Sequence, residues 1–110
     1  MRSYLIDELS PHDIGRIREY LGQNSSPSEL ESIFWIPVPN HLLSEIQLRH
    51  GPCHPLVFAV EVGSGWVKME FFVRSRKGLK CECQDYATQQ QMSFILNFTH
   101  QMIRELEIKT

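Results

Sequence analysis

Hydrophobic and polar positions alternate most clearly in the second half of the chain. Leu56, Phe58, Val60 and Val62 alternate with Val57, Ala59 and Glu61. After Gly63-Ser64-Gly65, Val67, Met69, Phe71 and Val73 alternate with Trp66, Lys68, Glu70, Phe72 and Arg74. Leu79, Cys81 and Cys83 then alternate with Lys80, Glu82 and Gln84 beyond Ser75-Arg76-Lys77-Gly78, where Gly78 suits a left-handed turn position. Three runs of period two joined by short glycine turns predict an antiparallel meander. One face is apolar and the other mixed, as when a single face packs on a core.

A long helix follows. Thr88 and Gln91 form a capping-box pair, with Ala87 and Met92 placed for a hydrophobic staple. Met92, Phe94, Ile95, Leu96, Phe98, Met102, Ile103 and Leu106 then span an apolar arc of roughly 200°. A helix lying on a sheet needs about half that arc, so the surplus predicts contact with other helices, a partner or a second copy.

The first half is less regular. Arg2 to Ile6 fits an edge strand. Ser10, Pro11 and Asp13 are a helix start, with Leu9 and Ile14 as a staple and Ile14, Ile17 and Leu21 at helical spacing. Gly22 and Asn24 are the expected stop. Ser26-Pro27-Ser28-Glu29 predicts a short helical turn, and Ile33 to Ile36 a strand that, with Pro37 and Pro39 following at once, lies at a sheet edge or leaves the sheet there. Asn40 is placed to cap a second helix through Leu42, Leu43 and Ile46, ended by Gly51-Pro52. The expected fold is α+β over residues 1–110 as a single domain. N-terminal helices and an edge strand precede an antiparallel sheet of three to five strands, and the long C-terminal helix packs on one face.

Composition narrows the class. The 110 residues are 42% hydrophobic and 22% charged, the balance of a globular domain. A net charge of −2 argues against a general nucleic-acid binder. No apolar run approaches the roughly 18 residues of a membrane span, and the N-terminus has no signal-peptide h-region. The expectation is a cytoplasmic protein with no membrane association, in which three cysteines stay reduced.

Three groups of residues carry possible chemistry. His50, Cys53 and His54 lie within five residues, and Cys81 and Cys83 add two thiols; zinc takes such ligands tetrahedrally. The spacing matches no standard zinc knuckle. Cys81 and Cys83 would share a strand face with Phe71 and Val73, so the expectation is two small core thiols and no cofactor, with zinc as the alternative. Arg74, Arg76, Lys77 and Lys80 make the second hairpin basic, an anion or nucleic-acid surface in one reading and a solvated, aggregation-resistant tip in the other. Phe94 and Phe98, with Trp66 and Phe72, are the candidate partner-binding residues. No catalytic motif occurs, and the histidines at 12, 41, 50, 54 and 100 are scattered. The favoured expectation is a non-enzymatic binding, adaptor or regulatory domain that pairs with itself or another protein. A metal- or thiol-dependent protein and a weak nucleic-acid binder are the alternatives.

Overall fold

The structure is a computed structural model. It describes the chain apart from Ser28, Glu29, Glu31 and Leu79, and describes the backbone alone at Ser26 and Pro27. The strands are β1 (Ser3–Ile6), β2 (Ser26–Pro27), β3 (Ile33–Pro37), β4 (Leu56–Val62), β5 (Val67–Glu70), β6 (Phe72–Ser75) and β7 (Asp85–Tyr86). The helices are α1 (Pro11–Asn24), α2 (Glu45–Arg49) and α3 (Gln89–Glu105), with 3₁₀ turns at Asn40–Leu42 and Gly51–Cys53. All strand pairs are antiparallel, in the order β1-β5-β4-β3-β2, with β6 on β4 and β7 on β6. This is the α+β architecture that the pattern predicts, with β1 at an edge.

The register puts Phe34, Ile36, Phe58, Val60, Val67 and Met69 on one face, all buried. Ile14, Ile17 and Leu21 of α1 and Ile95 and Met102 of α3 complete that core. Phe94 and Phe98 stand edge-on to Phe58 with ring centroids 6.2 and 6.0 Å away, and Phe98 also meets Tyr20 of α1 at 6.3 Å. The wide arc of α3 is therefore shared between the sheet and α1. No large apolar side chain of α3 is among the exposed ones. The opposite sheet face carries Lys68 against Glu61 at 3.4 Å and Arg74 against Glu70 at 2.8 Å.

Several local expectations are corrected. The run from Trp66 to Arg74 is two strands. Met69 pairs with Val60 and Arg74 with Val57, so four residues, Glu70 to Val73, face only Phe58 and Ala59. This bulge shifts the register by an even number of residues and leaves the alternation of faces intact. Glu70 Oε1 accepts the freed Ala59 N–H at 3.3 Å.

The third run is not a strand. Residues 81–84 form a turn, closed by Gln84 N–H donating to Cys81 O at 3.1 Å, and only Asp85–Tyr86 joins the sheet; Leu79 lies outside the described residues. Helix α2 is capped by Ser44 rather than Asn40, because Ser44 and Gln47 complete a reciprocal capping box. Helix α1 runs past Gly22 and stops at Asn24, the second of the two expected stop residues, whose Nδ2 donates to Tyr20 O at 2.8 Å. Ser26-Pro27 is extended on β3 instead of opening a helical turn; the rest of that signature lies outside the described residues.

Candidate metal centre

The pairing of Leu56 with Ser75 decides where the cysteines meet. It sets the residues before Leu56 beside those after Ser75, at one end of the sheet. On the first side, α2 ends at His50 and passes directly into the Gly51–Cys53 turn. Cys53 N–H donates to His50 O at 2.9 Å. In a 3₁₀ turn side chains three apart eclipse, so His50 and Cys53 point the same way. On the second side, the 81–84 turn folds Cys81 and Cys83 inward, and the Cys83 N–H reaches Cys81 Sγ at 3.5 Å.

One donor atom from each of His50, Cys53, Cys81 and Cys83 lies within 4.8 Å of every other. His50 Nδ1 is 2.8 Å from Cys81 Sγ, while its Nε2 faces Glu82 Oε1 at 3.8 Å. His54 is not part of the group; its Nε2 is 2.7 Å from Gln47 O, where it donates. The cysteines are free, with Cys53 and Cys83 buried and Cys81 half-buried. Cys83 belongs to the hydrophobic core and Cys81 packs against it, as expected of core thiols. What the pattern did not reveal is that Cys53 and His50 join them.

The two ligand-bearing segments are fastened through their carbonyls. Ser75 Oγ donates to Cys53 O at 2.5 Å, and Gln47 Nε2 donates to Cys83 O at 3.1 Å. Gln84 Oε1 accepts from Ser75 N at 2.7 Å, and Lys77 Nζ donates to Pro52 O at 3.1 Å. Such partners, which fix the loops and not the sulfurs, commonly decide whether a ligand set is pre-organised. Glu82 and Gln47 were missed from the sequence. The Ser44-x-x-Gln47 capping spacing was the one signal that could have pointed to Gln47.

The three thiols share negative charge unequally. Cys81 is brought down to about 6, first by the Cys83 backbone N–H at its sulfur, then by the Cys83 and Cys53 thiols and by His50. Cys83 is pushed up to about 12, chiefly by burial. Cys53 is also raised, chiefly by its hydrogen bond to Cys81. One thiolate is thus supported by two neighbouring thiols. A divalent cation would allow all three to ionise.

Three thiolates and an imidazole suit zinc and other soft cations, not calcium or magnesium. A tetrahedral zinc with bonds of about 2.3 Å to sulfur needs sulfurs about 3.8 Å apart, which the 4.8 Å limit on the donor separations accommodates.

The other sequence candidates make contacts of their own. Arg74 is bound in a fork by Glu70 and lies over Phe72 at 5.2 Å, while Lys77 turns to Pro52 O, and Arg76 and Lys80 are exposed. Trp66 lies on Gly63 under Lys68, and Phe72 stands edge-on to Tyr86 at 5.4 Å. Among the described residues no helix is long and apolar enough to cross a membrane. No family model, curated protein or solved structure matches the chain.

Proposed function

We propose that the chain is a zinc-binding domain in which His50, Cys53, Cys81 and Cys83 hold one structural metal ion. The observation that carries this reading is the mutual approach of the four donor atoms within 4.8 Å, from segments distant in sequence. Glu82 Oε1, 3.8 Å from His50 Nε2, supports it, because it places a carboxylate on the side of the ring away from the proposed ligand atom, where outer carboxylates commonly attend metal-bound imidazoles. Four protein ligands close the coordination sphere, the arrangement of structural rather than catalytic zinc. The reading is therefore of a non-enzymatic domain. Its metal joins the end of α2 to the turn after β6.

Metal analysis of untagged protein purified under reducing conditions tests this. About one zinc per chain is expected. Cobalt substitution should give the thiolate charge-transfer band and the intense visible bands of a tetrahedral sulfur-rich site. Protein that carries no metal, and takes up neither zinc nor cobalt when reduced, would overturn the proposal.

A further inference from the structure

The three sulfurs of the cluster differ in access, and the difference has a chemical consequence. Cys53 is 7% exposed and Cys83 is fully buried, whereas Cys81 is half-buried between exposed Lys80 and Glu82. An oxidant arriving from solvent meets Cys81 first. Two further sulfurs lie within 4.8 Å of it, but they are not equivalent partners. Cys83 is two residues away in the same tight turn, and its N–H is directed at Cys81 Sγ. A bond between these two would close a small ring and break that turn. Cys53 comes from a separate loop, held in place by Ser75 at its carbonyl. A Cys53–Cys81 bond would cross-link the same two segments that the metal joins.

We propose that Cys81 is a modification site for hydroperoxides, that Cys53 resolves it, and that the resulting disulfide releases the metal. The inference rests on the zinc reading. In the first step the Cys81 thiolate attacks hydrogen peroxide. The O–O bond breaks, an S–O bond forms, and hydroxide leaves; sulfur is oxidised by two electrons and the peroxide is reduced. In the second step the Cys53 thiolate attacks the Cys81 sulfenic acid. The S–S bond forms and a second hydroxide leaves, so two thiolates and one peroxide give one disulfide and two hydroxides, which solvent protons convert to water. Only His50 and Cys83 remain as ligands, too few for a structural site. A dithiol reductant returns both thiolates and permits reloading. The disulfide replaces the metal as the clamp between the 51–53 turn and the 81–84 turn, so the fold survives metal loss.

The test uses the full chain loaded with zinc. Metal content is measured first, which examines the zinc reading by itself. Hydrogen peroxide is then titrated in, released zinc is followed with a colorimetric chelator, and disulfides are mapped by peptide mass spectrometry. Bound zinc should fall from about one per chain to none, in step with a Cys53–Cys81 cross-link, and dithiothreitol should reverse both. In Cys53→Ser the sulfenic acid should persist and be trapped at Cys81 by dimedone, with or without metal. Loaded protein that keeps its zinc, a bond mapped to Cys81–Cys83, or first modification at Cys53 or Cys83 would overturn the inference while leaving the zinc reading intact. If no zinc is bound at the outset, the zinc reading fails and this inference fails with it.

Discussion

Gln91 donates from Nε2 to Gln47 Oε1 at 2.9 Å, and both side chains are almost completely buried. Each is the third residue of its helix and accepts the N–H of its own cap residue, Thr88 or Ser44. Gln91 Nε2 also donates to Leu42 O, and Gln47 Nε2 to Cys83 O. The starts of two helices and the cysteine turn are thus joined through one satisfied amide pair. Gln91→Leu leaves Leu42 O and Gln47 Oε1 short of a donor and the Thr88 N–H without its acceptor. Each buried polar group left unpaired costs about 1–3 kcal/mol. Denaturant unfolding should show Gln91→Leu at least about 2 kcal/mol less stable than the parent, and a loss below about 0.5 kcal/mol would refute the role given to the pair.

The same network separates the two neighbouring histidines. His50→Ala removes a proposed ligand, whereas His54→Ala removes a hydrogen bond to Gln47 O. His50→Ala should lower zinc affinity by at least about 100-fold, the upper end of what loss of a supporting outer partner does. His54→Ala should keep stoichiometric zinc and lose only about 1 kcal/mol of stability. Competition with a chelator of known affinity measures the first, and chemical denaturation the second. Equal effects on zinc from both variants would mean that the ligand set is wrongly assigned.

How much of this was legible in the sequence depends on the range of the interaction. The Thr88–Gln91 box, the Ser10 cap and the alternation of Leu56–Val62 are local, and the structure reproduces them. The bulge after Glu70 was hidden because an even register shift preserves which residues face the core. The 81–84 turn was read as a strand because two cysteines two apart alternate with polar residues in either conformation. The five potential ligands could be named from the chain. Their selection could not, since it follows from the pairing of Leu56 with Ser75 and from His54 turning to Gln47 O. Likewise the width of the α3 arc was plain, but that Tyr20 of α1 takes up part of it depends on how two distant helices pack.

Zinc affinity should depend steeply on pH. The Cys81 thiol, lowered to about 6, is already ionised at neutral pH, while Cys53 and Cys83, both raised, keep their protons. Binding at pH 7 then expels two protons. Affinity should fall by about 100-fold for each unit of acidification between about pH 8 and pH 6, and more steeply below. For the metal-free fold the signs are opposite at the two sites. The depressed Cys81 contributes stability that is present above its unfolded value and lost as pH falls through about 6. The raised Cys83 contributes stability that is present below its unfolded value and lost as pH rises towards 12. Alkylation of reduced, metal-free protein, followed by peptide mass spectrometry, should label Cys81 with a midpoint near pH 6 and leave Cys83 unlabelled. Three thiols titrating together at ordinary alkaline pH would contradict this distribution of charge.

Far from the cysteines, Gly63 makes a sharper demand on its position than its place in a turn suggests. Its N–H donates to Trp66 O at 2.8 Å, and the Trp66 indole folds back over its Cα. A Cβ at residue 63 would lie 2.1 Å from Trp66 Cε2, in the middle of the ring system and not at a flexible tip. Gly63→Ala therefore has to displace the indole, which also loses Lys68, whose ammonium sits 5.6 Å from the ring centroid. Forced repacking of this kind costs about 1–3 kcal/mol. Replacing Trp66 by Ala in the same chain removes the obstruction, so Gly63→Ala should cost much less in that background. A double-mutant cycle measured by denaturant unfolding gives the coupling directly, and a value near zero would show that the indole does not rest on Gly63 in solution.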